Sequence, residues 1–215
     1  KKLTGVSLEM RENEGEDFPE QLKRHNCELK RVYSYILGKN RKNEFETMYL
    51  SMYPYFYQQA ADAVEALMNS GYHHLLEEAV SKKMVVHGSY NQHKVLQLSG
   101  GELATIDFSK ARTGLQILDV YHFLRKTMEK NQWDMEMAEL VISGYEEEKT
   151  IAKEEKEILY CLFLYPEKFH KAANYYFNTR KSWVSARTLQ KLKEVEEQKT
   201  EKSRFLQKFH KWVII

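Results

Sequence analysis

Proline and glycine are scarce, three and nine among 215 residues, and long stretches of Glu, Lys, Leu and Tyr fill the chain. That points to a mostly helical protein with few turns. One sign of charge is not in excess either. Lys and Arg number 33 against 31 Asp and Glu, a net charge of +2, so no chain-wide field gathers nucleic acid or acidic membrane, and any such binding would need a local patch. The longest apolar runs, such as residues 158–165, fall far short of the roughly 20 residues that span a bilayer, and no charged-then-apolar secretory segment opens the chain. A soluble, intracellular protein is expected. The two cysteines, Cys27 and Cys161, lie far apart on apolar helical patterns without a CxxC or His spacing. They are expected to be buried thiols rather than a disulfide or a zinc site. With 42% hydrophobic and 30% charged residues, the composition suits one globular domain, or at most one and a half, with a real core and rules out a disordered tail. The first residue is Lys1, not Met, which suggests a segment of a longer chain or a processed product.

Apolar residues recur at helical spacing from Phe18 through Leu22, Leu29, Val32, Tyr33 and Ile36, with Gly38 and Asn40 as a stop signal. A second helix is predicted from Phe45 to Leu67, closed by Asn69 and Gly71, with a kink or break at Pro54. A shorter one is expected over Leu75 to Lys82. Between Met84 and Phe108 the pattern changes to three short runs at residues 84–86, 95–98 and 104–106. They are separated by residues 88–91 and by Gly100-Gly101, a hairpin signal. Helical spacing returns over 115–128, 133–145 and 151–164, where Pro166 ends it. A final long, charged pattern runs from Trp183 to Trp212.

The loop-rich centre carries the chemistry. It reads Val86-His87-Gly88-Ser89-Tyr90-Asn91-Gln92-His93-Lys94-Val95-Leu96, then Ala104-Thr105-Ile106-Asp107-Phe108, then Leu118-Asp119-Val120. This order resembles the catalytic core of the aminoglycoside phosphotransferase and choline kinase group of the protein-kinase-like fold. In that group the pattern is His-Gly-Asp, four residues, Asn, a hairpin, Ile-Asp-Trp or Ile-Asp-Phe, and an Asp at a helix start about twelve residues on. The resemblance implies phosphoryl transfer with ATP and Mg²⁺, in which one carboxylate orients the acceptor hydroxyl while an Asn and an Asp hold the metal. His87, Asp107 and Asp119 match those positions, His87 as a loop-shaping residue, Asp107 as a nucleotide-metal ligand and Asp119 in a structural role. Ser89 stands where the family has its catalytic Asp, and Lys94 where it has its metal-binding Asn. Serine is no base near neutral pH without a partner, and a positioned base is typically worth about 10²–10⁴ in rate. A protonated lysine offers Mg²⁺ no lone pair and repels it. One reading has Lys94 pair with Asp107 in place of the metal, the other is drift on a disused surface, and neither nucleotide nor Mg²⁺ is expected unless the site is active.

Three stretches narrow the likeness: residues 22–32 (Leu22 to Val32) followed by 41–46, the aromatic Tyr53-Pro54-Tyr55-Phe56-Tyr57, and residues 87–95. They resemble the bacterial spore coat protein S family. The resemblance implies a protein made in the mother-cell cytoplasm and assembled onto the spore coat, with other coat proteins or further copies of itself as partners. No strand periodicity or Gly-rich turn precedes His87, since residues 9–82 read as helical throughout. The whole chain is therefore expected to be the helical C-terminal lobe of the kinase-like fold, mainly α with a small β-hairpin insertion, without the N-terminal nucleotide lobe. A structural or interaction role with an impaired site is the first expectation; a small-molecule phosphotransferase is the alternative.

Other features carry less. His73, His74, His87 and His93 fall within about twenty residues, but adjacent histidines point to different helix faces and no HExxH frame exists, so metal binding is not expected. The tyrosines at helical spacing are expected in the core with wet hydroxyls. Arg180, Lys181, Arg187, Lys191 and Lys193 are followed by Glu194, Glu196 and Glu197, the pattern of a solvated helix rather than of a nucleic-acid patch.

Overall fold

The computed structural model describes residues 17–179 and 186–214. Helix α1 (Phe18–Leu37) starts where the Asp17 carboxylate accepts the Glu20 N–H at 3.0 Å, with Pro19 in the first turn where its missing N–H costs nothing. It buries Leu22, Asn26, Leu29, Val32 and Ile36, one stripe at three- and four-residue steps. Helix α2 (Glu44–Asn69) opens on a reciprocal cap. The Glu46 N–H donates to the Asn43 side chain at 3.0 Å and the Asn43 N–H to Glu46 Oε2 at 2.8 Å. The other Glu46 oxygen receives Lys39 and the Tyr176 hydroxyl. Burial alone would raise this carboxyl; Lys39, Tyr176 and the Asn43 N–H outweigh it and hold the group below its ordinary value. Pro54 does not end α2, which runs on to Asn69. Its ring removes one N–H, and the buried row Phe45, Tyr49, Met52, Phe56, Ala60, Ala63 and Leu67 carries the helix across.

After α3 (Tyr72–Ser81) come the short strands β1 (Val85–Val86), β2 (Val95–Gln97), β3 (Leu103–Thr105) and β4 (Arg112–Thr113). The hairpin expected at Gly100-Gly101 is β2–β3, antiparallel with Val95 opposite Thr105. Strand β1 pairs instead with β4, Val85 opposite Thr113. A two-residue strand shows no alternation, so β4 leaves no pattern in the sequence.

Helices α4 (Ile117–Lys130), α5 (Met135–Glu146), α6 (Lys153–Leu164), α7 (Glu167–Asn178), α8 (Ala186–Glu197) and α9 (Lys199–Ile214) complete the described chain. Three expectations need correction here. Pro166 ends α6 but also caps α7, a helix the sequence reading passed over. Apart from Phe169, its inner face of His170, Ala172, Ala173 and Tyr176 is built from small or amphipathic residues. The long terminal pattern is two helices, broken at Gln198, whose amide donates to the Glu129 carbonyl at 3.1 Å; Trp183 lies outside the described residues. Cys161 is buried as expected, with its thiol pushed up to about 11 by burial, but Cys27 is exposed.

One apolar core joins these helices. Helix α1 packs on α2 and α7, and α6 packs on α2, α4 and α9. The Phe169 ring lies 4.9 Å from both Tyr49 and Phe56. Asn26 is the buried polar tie, donating to the Ala60 carbonyl at 3.1 Å and accepting from the Tyr165 hydroxyl at 3.2 Å. The tyrosines divide: Tyr49 and Tyr176 are buried, whereas Tyr55 and Tyr175 are exposed.

Candidate functional site

Strand β1 delivers His87 and Gly88 to the start of α4. There the Asp119 carboxylate accepts the His87 N–H at 2.6 Å and the Gly88 N–H at 3.0 Å. Burial raises the Asp119 carboxyl above its ordinary value, against the pull of those two donors. Gly88 has φ of +75°, and a Cβ there would stand 2.3 Å from the Lys110 carbonyl oxygen. Only glycine fits both constraints.

The His87 ring closes the other side of the loop. Its Nε2 lies 2.9 Å from the Ile106 carbonyl oxygen, which makes Nε2 the protonated nitrogen. Nδ1 then accepts from the Ser89 N–H at 3.3 Å, with the Ser89 hydroxyl at 3.4 Å. Among the described residues the hydrogen bonds of Ser89 run to His87 and Asn91 and none reaches a carboxylate. Buried Asn91 spans its own turn, donating to the Ser89 carbonyl at 2.7 Å and accepting from the His93 N–H at 3.0 Å.

Lys94 ends a short 3₁₀ turn (Gln92–Lys94), and its ammonium forms an ion pair with Asp107 across the base of the β2–β3 hairpin. The other Asp107 oxygen accepts from the Ser109 hydroxyl at 2.5 Å. Lys94 and Ser109 together hold the Asp107 carboxyl far below the usual carboxylate range. Asp107 adopts φ of +61°, a left-handed conformation that Asp tolerates better than most residues.

The five positions marked in the sequence therefore meet in one place: Asp119 and Ile106 hold the His87 loop, Ser89 sits on that loop, and Lys94 closes on Asp107. The arrangement does not suit Mg²⁺. Its one carboxylate of the expected type is already engaged by an ammonium and a hydroxyl, and the ammonium repels a cation. His73, His74, His87 and His93 form no group of three among the described residues.

The sequence reading missed a different cluster. His25 and Glu28 on α1 meet His170 on α7, with ligand atoms within 4.8 Å of one another. The His25 and His170 rings stack at 3.9 Å and 18°, and His170 Nε2 lies 2.7 Å from Glu28. Near-parallel rings keep the nitrogen lone pairs in parallel planes rather than converging on one ion. Burial, then the neighbouring His170, lowers the His25 pKa. A separation of 142 residues hid this pairing.

Compared with known families, residues 22–209 match the model of the spore coat putative kinase YutH family. The chain belongs to that family. Its fold is that of the helical lobe of a kinase-like protein. It is similar to the crystal structure of an aminoglycoside phosphotransferase from Alicyclobacillus acidocaldarius subsp. acidocaldarius DSM 446, with a TM-score of 0.85 at 20% identity. The match covers 92% of this chain and 59% of that one, so the chain spans less than two thirds of the phosphotransferase's length. No curated protein matches. Among the described residues no helix is long and apolar enough to cross a membrane.

Proposed function

We propose that this member of the YutH family is a structural or interaction component of the spore coat whose kinase-like loop does not transfer phosphate. The observation that carries the reading is the Lys94–Asp107 ion pair. An ammonium stands where a metal ligand would be needed and neutralises the carboxylate that would hold the metal. Ser89 adds to it, since among the described residues its hydroxyl meets the His87 ring and no carboxylate, and supplies no base for an acceptor hydroxyl. On this reading ATP and Mg²⁺ are not cofactors, and the partners are other coat proteins or further copies of the chain. Leu96, Leu98, Leu103 and Ile106, all exposed around the hairpin, support a contact role.

A second reading, a small-molecule phosphotransferase, is favoured by one observation, a cleft of about 370 Å³ that opens on Ser89. Calorimetric titration of Mg·ATP into the full-length protein separates the two. The first reading expects no Mg²⁺-dependent heat from folded protein; micromolar, Mg²⁺-dependent binding would favour the second.

A further inference from the structure

The cleft beside Ser89 has an unusual charge balance. It is bounded by α1, the 88–91 loop, the segment carrying Lys110 and Arg112, α4 and α7. Five cations line it, Lys110, Arg112, Arg125, Lys126 and Lys171; Arg112 donates to the Lys110 carbonyl and Arg125 pairs with Glu129 outside the lining, while one carboxylate, Glu167, lies on it. That carboxylate is occupied by Lys171 at 2.8 Å. Arg125 is 6% exposed and gives one guanidinium nitrogen to Glu129 at 2.7 Å, while its buried Nε has no partner. Lys126 and Lys110 have no ion-pair partner among the described residues. Phe18, Leu22 and Tyr121 are the apolar part of its lining, and low-dielectric walls focus such a field.

We propose that this cleft binds a small phosphomonoester. Two ammonium groups on one cleft, Lys110 and Lys126, with no ion-pair partner among the described residues, ask for a multiply charged acceptor. At neutral pH a phosphomonoester carries about −1.5 to −2 and three acceptor oxygens, where a carboxylate carries one charge and two oxygens. The cavity volume lies in the range of small-molecule sites. His122, also on the cleft wall, adds no charge of its own, because burial, then Arg125, pushes it down to about 4. The site needs neither a metal nor a carboxylate at position 89, so it stands whether or not the loop transfers phosphate.

The test is calorimetric titration of full-length protein with glucose 6-phosphate and with glucose, without nucleotide or divalent metal, and flotation with phosphatidylcholine vesicles that contain phosphatidic acid. Glucose 6-phosphate should bind and glucose should not. Lys126→Glu, at a half-exposed position, should weaken binding at least about tenfold, the scale of a lost charge-assisted hydrogen bond, while melting like the wild type. Arg125→Met should do the same and serves as a second variant, read only if its circular dichroism is native. Equal binding of sugar and sugar phosphate, binding unchanged in Lys126→Glu, no binding of either, or capture by the vesicles alone would each overturn the proposal. Because no ATP or Mg²⁺ enters this experiment, its outcome is separate from that of the Mg·ATP titration.

Discussion

The carboxylate of Asp119, in the first turn of α4, accepts the backbone N–H of His87, 32 residues earlier, at 2.6 Å. Together with its second bond to the Gly88 N–H, that contact fixes the loop bearing Ser89 to the helix beneath it. The shape of the loop is thus kept by its own backbone N–H groups and one carboxylate of α4.

Asp119→Ala is therefore expected to leave two backbone N–H groups without acceptors, at a cost of about 1–3 kcal/mol. Urea unfolding should show the loss, and limited proteolysis should cut within residues 87–94 sooner than in the wild type. A variant as stable and as resistant as the wild type would mean that the loop is held elsewhere.

Gly88→Ala puts a Cβ at φ of +75° and 2.3 Å from the Lys110 carbonyl oxygen. Backbone strain of this kind costs about 1–3 kcal/mol before any displacement of Lys110. Thermal melting should fall accordingly, and Gly101→Ala, at φ of +79° with nothing within 4 Å, should cost less. Equal effects at the two glycines would remove the steric part of the argument.

Stability should depend on pH through His122. Burial, then the nearby Arg125, pushes its pKa down to about 4 from 6.5. The folded protein keeps the ring neutral in the window where the unfolded chain protonates it, so stability falls as the pH drops from 6.5 toward 4 and this contribution levels off below that. The full span amounts to about 3 kcal/mol. His122→Gln should flatten the slope measured by urea unfolding between about pH 7 and about pH 5. Some slope should persist from His25, whose pKa is lowered in the same direction.

Lys94→Asn removes the ammonium and restores a neutral oxygen donor beside Asp107. The substitution should create weak Mn²⁺ binding, detected by water proton relaxation, that a further Asp107→Asn change abolishes. Persistent absence of binding in Lys94→Asn would show that Lys94 is not what keeps a cation out.

The parts legible in the sequence were those set by local pattern. The stripes of α1 and α2 and the Gly100-Gly101 hairpin are short-range signals, whereas the order His87, Ser89, Lys94, Asp107, Asp119 stood out only through a family resemblance, which also made the opposite charges of Lys94 and Asp107 suggest a pair. Helix α7 escaped because Ala172 and Ala173 make a quiet apolar face and Pro166 reads as an ending, although proline also opens helices. At Pro54 the continuous stripe from Phe45 to Leu67 was the better guide than the local breaker, since α2 runs through it. The His25–Glu28–His170 cluster and the cationic cleft were out of reach for another reason. Their residues come from separate helices and loops, and no spacing along the chain marks a surface that only packing assembles.

On the proposed reading, the Lys94–Asp107 pair stands in place of a metal. Titration of Mn²⁺ into the wild-type, full-length protein, followed by water proton relaxation, addresses it most directly. No enhancement attributable to Asp107 is expected up to millimolar metal. Submillimolar binding that disappears in Asp107→Asn would contradict it.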